Sequence, residues 1–272
     1  MYLSFIDENI PTDSFVVLGG RPRTGKTTLV LDFIARNSLI PVPANTEFLN
    51  ELMSRSGLVY FIGHKQETIL RQWFSIINQS AVTRKDNDQV LDYLKSEYNE
   101  RLEGAKIDFN FLSETKDIEL TIKEDIERIQ PDYVIIDCVD NGLDNENYGH
   151  DIQGYNNYGY NGDFMLKLIR LQKESKKLFV VTRMLGDESH YRCGNKRHVL
   201  EDFHSREIEV NADIVMTITR PELYGIDIDE VGNSLINKLE IITALNRYGS
   251  EGVMRYWSLE NGIPKPDKAE TP

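Results

Sequence analysis

The stretch from residue 20 to residue 27 reads Gly-Arg-Pro-Arg-Thr-Gly-Lys-Thr, which has the spacing of a phosphate-binding loop. Its glycines allow backbone N–H groups to converge on phosphate oxygens that side chains would otherwise obstruct. Lys26 is expected to reach the β- and γ-phosphates of ATP, and the Thr27 hydroxyl to hold Mg²⁺. The predicted nucleotide-binding residues are Gly20, Arg21, Pro22, Arg23, Thr24, Gly25, Lys26, Thr27 and Thr28.

An aspartate closes the apolar run Tyr133-Val-Ile-Ile-Asp137, which is the Walker B arrangement. The Asp137 carboxylate is expected to orient Mg²⁺, usually through water. Taken alone, this residue is more typical of a helix cap or a loop, and its pairing with the phosphate loop favours the metal role. The next residue is Cys138 rather than a second acid, which points to the RecA-like branch, where the catalytic Glu comes from the neighbouring strand.

These residues need a sheet to position them. Short apolar runs at 15–20, 58–62, 133–137 and 178–182 predict strands, and so does the alternating stretch 107–112. Stretches with helical spacing at 27–37, 67–77, 118–129 and 164–174 predict helices between them. Three further strands are predicted at 213–219, 238–245 and 253–257. The alternation predicts an α/β fold with a mostly parallel twisted sheet covered by helices on both faces. Together with the phosphate loop and with Cys138 after Asp137, it indicates a RecA-like P-loop NTPase. Ligands of such sheets bind at the carboxyl ends of the strands, so we expect every candidate site residue at that edge.

The remaining stretches define the domain limits. A charged helix is predicted over 85–103, and the Asn-, Gly- and Tyr-rich stretch 140–163 is predicted to be a long loop. We expect one RecA-like ATPase domain over residues 1–260 and a flexible C-terminal tail over 261–272.

Composition restricts the partners and the compartment. The formal net charge of −13 argues against nucleic-acid binding by the whole surface, so such binding would need a local basic patch. The absence of a long apolar run predicts no membrane span. Two cysteines without metal-type spacing, and no signal peptide, favour the reducing cytoplasm.

Three stretches resemble one family, the C-terminal ATPase domain of the DnaB-type replicative helicases. The first is Pro11 to Thr27, in which the Arg21-Pro22 pair inside the loop is more specific than a bare Walker A motif. The second is Leu200 to Met216, and the third is Ile241-Ile-Thr-Ala-Leu-Asn-Arg-Tyr-Gly-Ser-Glu-Gly252. They occur in the family's order along the chain, so the resemblance covers about residues 9–257, although 80–130 and 140–163 match poorly.

The resemblance implies a hexameric ring with ATP at the subunit interfaces and single-stranded DNA in the central channel. Arg247 falls on the position of the arginine finger, which acts in trans on the neighbour's γ-phosphate. The basic stretch from Tyr191 to His198 falls in the second channel loop, so Arg192, Lys196 and Arg197 are the candidate DNA-binding residues. The alternative for these three residues is an ordinary solvated loop.

Several positions depart from the family pattern. The catalytic Glu of the family aligns with Lys65, which cannot orient water as a base, and Glu67 is the nearest possible substitute. Arg183 stands where the family has a sensor Gln, and Leu245 stands where it has a Lys. Because the resemblance begins near residue 9, we expect the family's N-terminal domain and linker helix to be missing. The predicted catalytic set is Lys26, Glu67, Asp137, Arg183 and Arg247.

The sequence thus predicts an ATP hydrolase, a DnaB-like helicase core that couples hydrolysis to translocation on single-stranded DNA. The alternative is an accessory or regulatory RecA-like ATPase with weak hydrolysis and no unwinding activity, which Lys65 and the acidic charge favour. A metabolic P-loop kinase is the third hypothesis, although no arginine-rich lid is visible. We expect slow ATP turnover, which a Lys65→Glu change should raise.

Overall fold

The structure is a computed structural model that describes residues 10–38, 55–78, 96, 106–112, 118–142, 161–186 and 197–267. The predicted charged helix over 85–103 lies outside the described residues, apart from residue 96, and so does most of the predicted loop over 140–163. No helix in the described ranges is long and apolar enough to cross a membrane.

In the described part of the chain, nine strands form one sheet in the order β3-β2-β4-β5-β1-β6-β7-β8-β9. The strands are β1 (Phe15–Gly20), β2 (Gly57–Ile62), β3 (Ile107–Leu112), β4 (Tyr133–Asp137), β5 (Leu178–Met184), β6 (Ile214–Thr219), β7 (Lys238–Asn246), β8 (Met254–Glu260) and β9 (Ile263–Pro266).

The first six strands pair in parallel, and the last three continue the sheet in antiparallel register. β5 lies between β1 and β4, so the phosphate loop after β1 and the aspartate that ends β4 are separated by one strand. A parallel sheet places all of its carboxyl ends at one edge, and we call this edge the carboxyl edge.

Helices cover both faces of the sheet. They are α1 (Lys26–Ser38), α2 (Gln66–Asn78), α3 (Ile118–Ile129), α4 (Asn161–Ser175) and the short α5 (Arg206–Asn211). Leu29, Phe33 and Trp73 of α1 and α2 are buried in the core on one face. Ile122, Leu168 and Ile208 of α3, α4 and α5 are buried in the core on the other. The central strands β1, β2, β4, β5 and β6 are buried on both sides because both faces are covered, which explains their continuous apolar runs.

Two features differ from the sequence predictions. β9 pairs with β8, so the sheet extends past the predicted boundary at residue 260 into the range predicted as a tail. Its two prolines and short length gave no strand pattern. The expectation that every candidate residue lies at the carboxyl edge is wrong for Arg247, because β7 runs antiparallel. Asn246 pairs with Ile214, the first residue of β6, so Arg247 lies at the opposite edge.

Candidate nucleotide-binding site

The phosphate loop joins β1 to α1 in a backbone conformation that needs its glycines. Gly25 has φ 96°, in the left-handed region that glycine adopts without strain, and Arg23 has φ 67°. A Cβ at Gly20 would lie 2.7 Å from Thr24 Oγ1 and 2.8 Å from the Ile218 carbonyl oxygen, so only glycine fits against β6. Consecutive N–H groups in such alternating conformations form an anion-binding concavity, here at the N-terminus of α1.

Lys26 begins α1, and its side chain folds back over the loop. Its Nζ donates to the Gly20 carbonyl at 2.6 Å and to the Arg21 carbonyl at 2.8 Å. Burial lowers the pKa of Lys26, while nearby Cys138, Asp137 and Asp140 act in the opposite direction. An ammonium held this way by carbonyl dipoles needs anionic partners for full compensation, and phosphate oxygens supply them.

Asp137 is the last residue of β4, and its carboxylate makes three polar contacts. Thr27 Oγ1 donates to Asp137 Oδ2 at 2.7 Å, and Thr182 Oγ1 of β5 donates to Oδ1 at 2.6 Å. The third contact is His64 Nε2, 3.2 Å from Oδ2. Thr182 Oγ1 also accepts from the Cys138 N–H at 2.7 Å, so β5 fixes the end of the neighbouring strand.

The protonation state of Asp137 follows from these neighbours. Burial raises the pKa of its carboxyl group, but the imidazole of His64 and the hydroxyls of Thr182 and Thr27 together lower the pKa below its ordinary value. The carboxylate is therefore ionised at neutral pH although its side chain is fully buried.

A pocket of about 460 Å³ opens over this cluster. It is lined by Pro22, Arg23, Gly25, Lys26, Thr27, Thr28, His64, Gln72, Ser75, Asp137, Cys138, Met184, Arg220, Leu259, Asn261 and Gly262. The pocket is polar where Lys26, Thr27 and Asp137 line it, which we call its phosphate end. The β8–β9 turn, with Asn261 and Gly262, forms another part of its wall. A volume of this size suits a ligand as large as a nucleotide.

The donor set fits Mg²⁺. A hydroxyl oxygen and an ionised carboxylate oxygen stand 2.7 Å apart, and Mg²⁺ binds through one or two protein oxygens together with phosphate oxygens and water. No group of three or more His, Cys, Asp or Glu side chains suited to a metal occurs in the described ranges, as expected where substrate and water supply the other ligands. Thr27 and Asp137 would hold the ion, which when bound neutralises charge on the transferred phosphate.

The turn between β2 and α2, residues 63–67, places its side chains differently from the sequence prediction. His64 lines the pocket, whereas Lys65 is exposed and lies outside the pocket lining. The Lys65 carbonyl accepts from the N–H groups of Thr68 and Ile69, so this residue caps α2 through its backbone. Glu67 is exposed and pairs with Arg71 at 3.1 Å, one turn along the helix. Neither Lys65 nor Glu67 therefore faces the pocket.

Comparison with known proteins decides the family. The family model of the DnaB-like helicase C-terminal domain matches residues 8–260. The chain belongs to this family. No curated protein matches the chain in sequence.

Solved structures share the fold. A DnaB-like replicative helicase, solved for its interactions with primase, superposes with a TM-score of 0.68 at 15% identity over 93% of this chain and 57% of that chain. A second solved structure, of an ATPase domain, gives a TM-score of 0.67 at 15% identity over 95% of this chain and 86% of that domain. The chain therefore spans little more than half of the replicative helicase it matches, and its fold is that of the RecA-like helicase domains.

Arg183, at the sensor position of the DnaB-like pattern, does not line the pocket. It is buried, and its guanidinium contacts Asp140 Oδ1 and the Phe203 carbonyl, both at 3.3 Å. The adjacent Thr182 faces Asp137 instead. Successive side chains of a strand point to opposite faces, so only one of these two β5 residues can face the Walker B aspartate.

Arg247, at the finger position, holds the end of α5 within this subunit. Its Nε donates to the Ala212 carbonyl at 2.8 Å, and one terminal nitrogen donates to the carbonyls of Glu209 and Val210 at 3.0 and 2.9 Å. These are the unpaired carbonyls at a helix C-terminus, where a cation is favourable. Arg247 is exposed and lies at the sheet edge opposite the phosphate loop, so it does not serve its own pocket.

Of the predicted DNA-binding residues, Arg192 and Lys196 lie outside the described residues. Arg197 makes a bidentate ion pair with buried Glu240, with both N···O distances 2.8 Å. This pairing raises the pKa of Arg197, chiefly through the hydrogen bond to Glu240. A DNA phosphate would therefore have to compete with Glu240 for this guanidinium.

Sequence reasoning missed several pocket or support residues, among them His64, Gln72, Thr182 and Arg220. Gln72 Nε2 donates to Thr28 Oγ1 and so ties α2 to α1 beside the pocket. Arg220 follows β6, and its Nε has no hydrogen-bond partner among the described residues. The predicted carboxyl ends of β2, β5 and β6 already placed the residues that follow these strands at the carboxyl edge. The sequence did not reveal which side chain of each turn faces inward.

Proposed function

We propose that this chain is a Mg-ATP-hydrolysing motor domain that works as a subunit of a head-to-tail ring on single-stranded DNA. The observation that carries ATP binding is the close set of Lys26, Thr27 and Asp137 beneath a nucleotide-sized pocket. Lys26 supplies the cation for the phosphates, and the Thr27–Asp137 pair supplies oxygen ligands 2.7 Å apart. Family membership adds the expectation of helicase activity in DNA replication.

The ring is supported by the separation of Arg247 from the phosphate loop. A head-to-tail ring joins two different surfaces of each subunit. The phosphate loop lies at the carboxyl edge of the sheet and Arg247 at the opposite edge, so the finger and the pocket belong to different surfaces. This arrangement suits an arginine that acts on the neighbour's γ-phosphate, and it does not suit action in cis.

Single-stranded DNA is the proposed track of the motor. The basic stretch that contains Arg192, Lys196 and Arg197 follows β5, and it leads into β6, beside β1 in the sheet. A cluster of Arg and Lys is the minimal electrostatic requirement for binding in a protein that is acidic overall. We place the working protein in the cytoplasm, in line with its cysteine content.

One observation favours the second candidate, an accessory RecA-like ATPase with weak hydrolysis and no unwinding activity. Among the described residues that line the pocket, Asp137 is the only carboxylate, and its proposed task is to hold Mg²⁺. Without a second carboxylate, the pocket offers no obvious base for the attacking water.

ATP turnover measured with and without single-stranded DNA, beside the molecular mass with and without Mg-nucleotide, separates the two candidates. A motor should form a ring with nucleotide, and DNA should stimulate its turnover. Unstimulated turnover from a protein that stays monomeric would reject the motor and leave the accessory ATPase.

A further inference from the structure

His64 is the one side chain of the β2–α2 turn that enters the nucleotide pocket among the described residues. Its Nε2 is shielded from solvent and has no well-aligned hydrogen-bond partner in the described part of the chain, although Asp137 Oδ2 is only 3.2 Å away. A buried polar nitrogen that lacks an aligned partner is uncommon in proteins and asks for an explanation. A ligand in the pocket would provide one.

The chemistry of Asp137 fixes which tautomer faces the pocket. An ionised carboxylate only accepts hydrogen bonds, so a nitrogen lone pair 3.2 Å from it would be repelled. Nε2 therefore carries a hydrogen. This N–H is not aligned on Asp137 Oδ2, so it can donate to a ligand oxygen that lies in line with it. A nitrogen in this state is not a metal ligand, which agrees with the preference of Mg²⁺ for oxygen.

Packing holds the imidazole in this direction. Its ring meets Phe61 edge-on, with centroids 6.2 Å apart and planes at 85°. Phe61 in turn packs against Phe109 and Phe111 of β3. Gly63, with φ 70°, makes the turn just before it, and the Gly63 N–H donates to the Leu112 carbonyl at 2.9 Å. The donor is thus preorganised by the core of the sheet.

Three other charged side chains near the ends of β2 and β4 lie outside the pocket lining. Lys65 is exposed, and Glu67 pairs with Arg71 on the surface of α2. Asp140 accepts from the Met184 N–H at 2.5 Å and contacts Arg183. His64 alone of this set lines the pocket beside Asp137.

We propose that His64 donates its Nε2–H to a terminal phosphate oxygen of bound Mg-ATP, where the family pattern has a carboxylate base. The proposal rests on the proposed function, namely ATP binding at this pocket. An N–H donor stabilises the intact triphosphate and cannot accept a proton from water, so it favours holding ATP over hydrolysing it. The residue then distinguishes ATP from ADP, since only ATP has the terminal phosphate.

Calorimetric affinities for Mg-ADP and for Mg-adenosine 5′-(β,γ-imido)triphosphate test this in four proteins, the wild type, His64→Ala, His64→Gln and Lys65→Ala. We expect His64→Ala to weaken the triphosphate analogue by about 10- to 100-fold, the loss of one hydrogen bond to a charged group, and ADP by less than about threefold. His64→Gln, which keeps an N–H donor, should recover most of the loss. Lys65→Ala, the exposed neighbour, should bind both ligands like the wild type.

Equal losses for the analogue and ADP in His64→Ala would overturn the proposal, because the role would then be general support of the pocket. So would an unchanged analogue affinity, or a His64→Gln variant as weak as His64→Ala. If the wild type binds neither ligand, the proposed ATP site itself fails and this inference with it. If the wild type binds both ligands, a negative result in the His64 variants rejects only the role of His64 and not the ATP site.

Discussion

The two turns that meet at the pocket differ in how closely they follow the family pattern. The phosphate loop between β1 and α1 keeps every polar group that the pattern predicts, and the Thr27–Asp137 contact closes it at 2.7 Å. The turn between β2 and α2 faces the same pocket, yet it offers an imidazole where a carboxylate is expected. Its acid, Glu67, lies on the surface with Arg71.

The difference separates two tasks that we propose for such a pocket. Binding of the triphosphate would depend on the loop, on Lys26 and on the oxygens for Mg²⁺, which come from β1, α1 and β4. In the family pattern, activation of water depends on a carboxylate base at the end of β2. Since different strands supply the two tasks, a chain can retain the first while the second changes.

The largest effect is expected from Lys26→Ala. The change removes the only ammonium at the phosphate end of the pocket in the described part of the chain, so ATP affinity should fall by on the order of 10²-fold or more. Calorimetry with Mg-ATP measures it, with Lys65→Ala as the control that removes an exposed ammonium from the second turn. If Lys26→Ala binds ATP as tightly as the wild type, the phosphate loop does not bind the triphosphate and the contrast between the two turns has no basis.

The next effect concerns the neighbour's contribution. Arg247→Ala should leave ATP affinity unchanged and lower the DNA-stimulated turnover by on the order of 10³-fold, the effect expected when an arginine finger is removed. Adding the Lys26→Ala variant should restore some activity, because mixed interfaces can combine an intact pocket with an intact Arg247. Arg247 also holds α5, so thermal unfolding of the variant must be measured beside turnover. A fully active Arg247→Ala monomer would show that Arg247 only caps the C-terminus of α5.

A smaller effect is expected on DNA affinity. Replacing Arg192 and Lys196 by Gln should flatten the salt dependence of single-stranded DNA binding by about 0.7 in logarithmic slope for each phosphate that the protein no longer neutralises. Replacing Arg197 alone would leave the buried Glu240 carboxylate without its cation, so the double variant Arg197→Gln, Glu240→Gln is the proper one for that site. Fluorescence anisotropy at several salt concentrations gives the slopes. No binding even at low salt with an ATP analogue present would show that this loop is an ordinary solvated one.

The smallest effects belong to the exposed residues of the second turn. Glu67→Gln removes a surface ion pair worth about 0.3–0.5 kcal/mol and should leave turnover unchanged. Lys65→Glu should also leave turnover unchanged, because the structure places this side chain outside the pocket. The family pattern led to the opposite expectation for Lys65. Loss of turnover in Glu67→Gln would mean that this carboxylate swings into the pocket during catalysis.

Much of the fold could be predicted from the sequence because the central parallel strands are buried on both faces and read as apolar runs. The loop, Asp137 and the order of strands and helices followed from such local patterns. The direction of β7 did not, since nothing in its residues distinguishes an antiparallel strand, and the predicted edge for Arg247 was therefore wrong. The family pattern aligned Lys65 with the catalytic Glu, but the side chain that lines the pocket is the preceding residue, His64. An alignment gives only the position along the chain, whereas the side chain that faces inward depends on the backbone of the turn, where Gly63 has φ 70°.

The most direct test follows the fate of bound nucleotide in a single turnover. The wild-type protein is mixed with Mg-[γ-³²P]ATP without DNA, chased with unlabelled ATP, and sampled for bound ATP and released phosphate. We expect that ATP binds well and leaves the site largely unhydrolysed, and that His64→Glu increases the fraction hydrolysed. Fast hydrolysis in the wild type that persists in both His64→Ala and Glu67→Gln would contradict this expectation, because the base would then lie elsewhere.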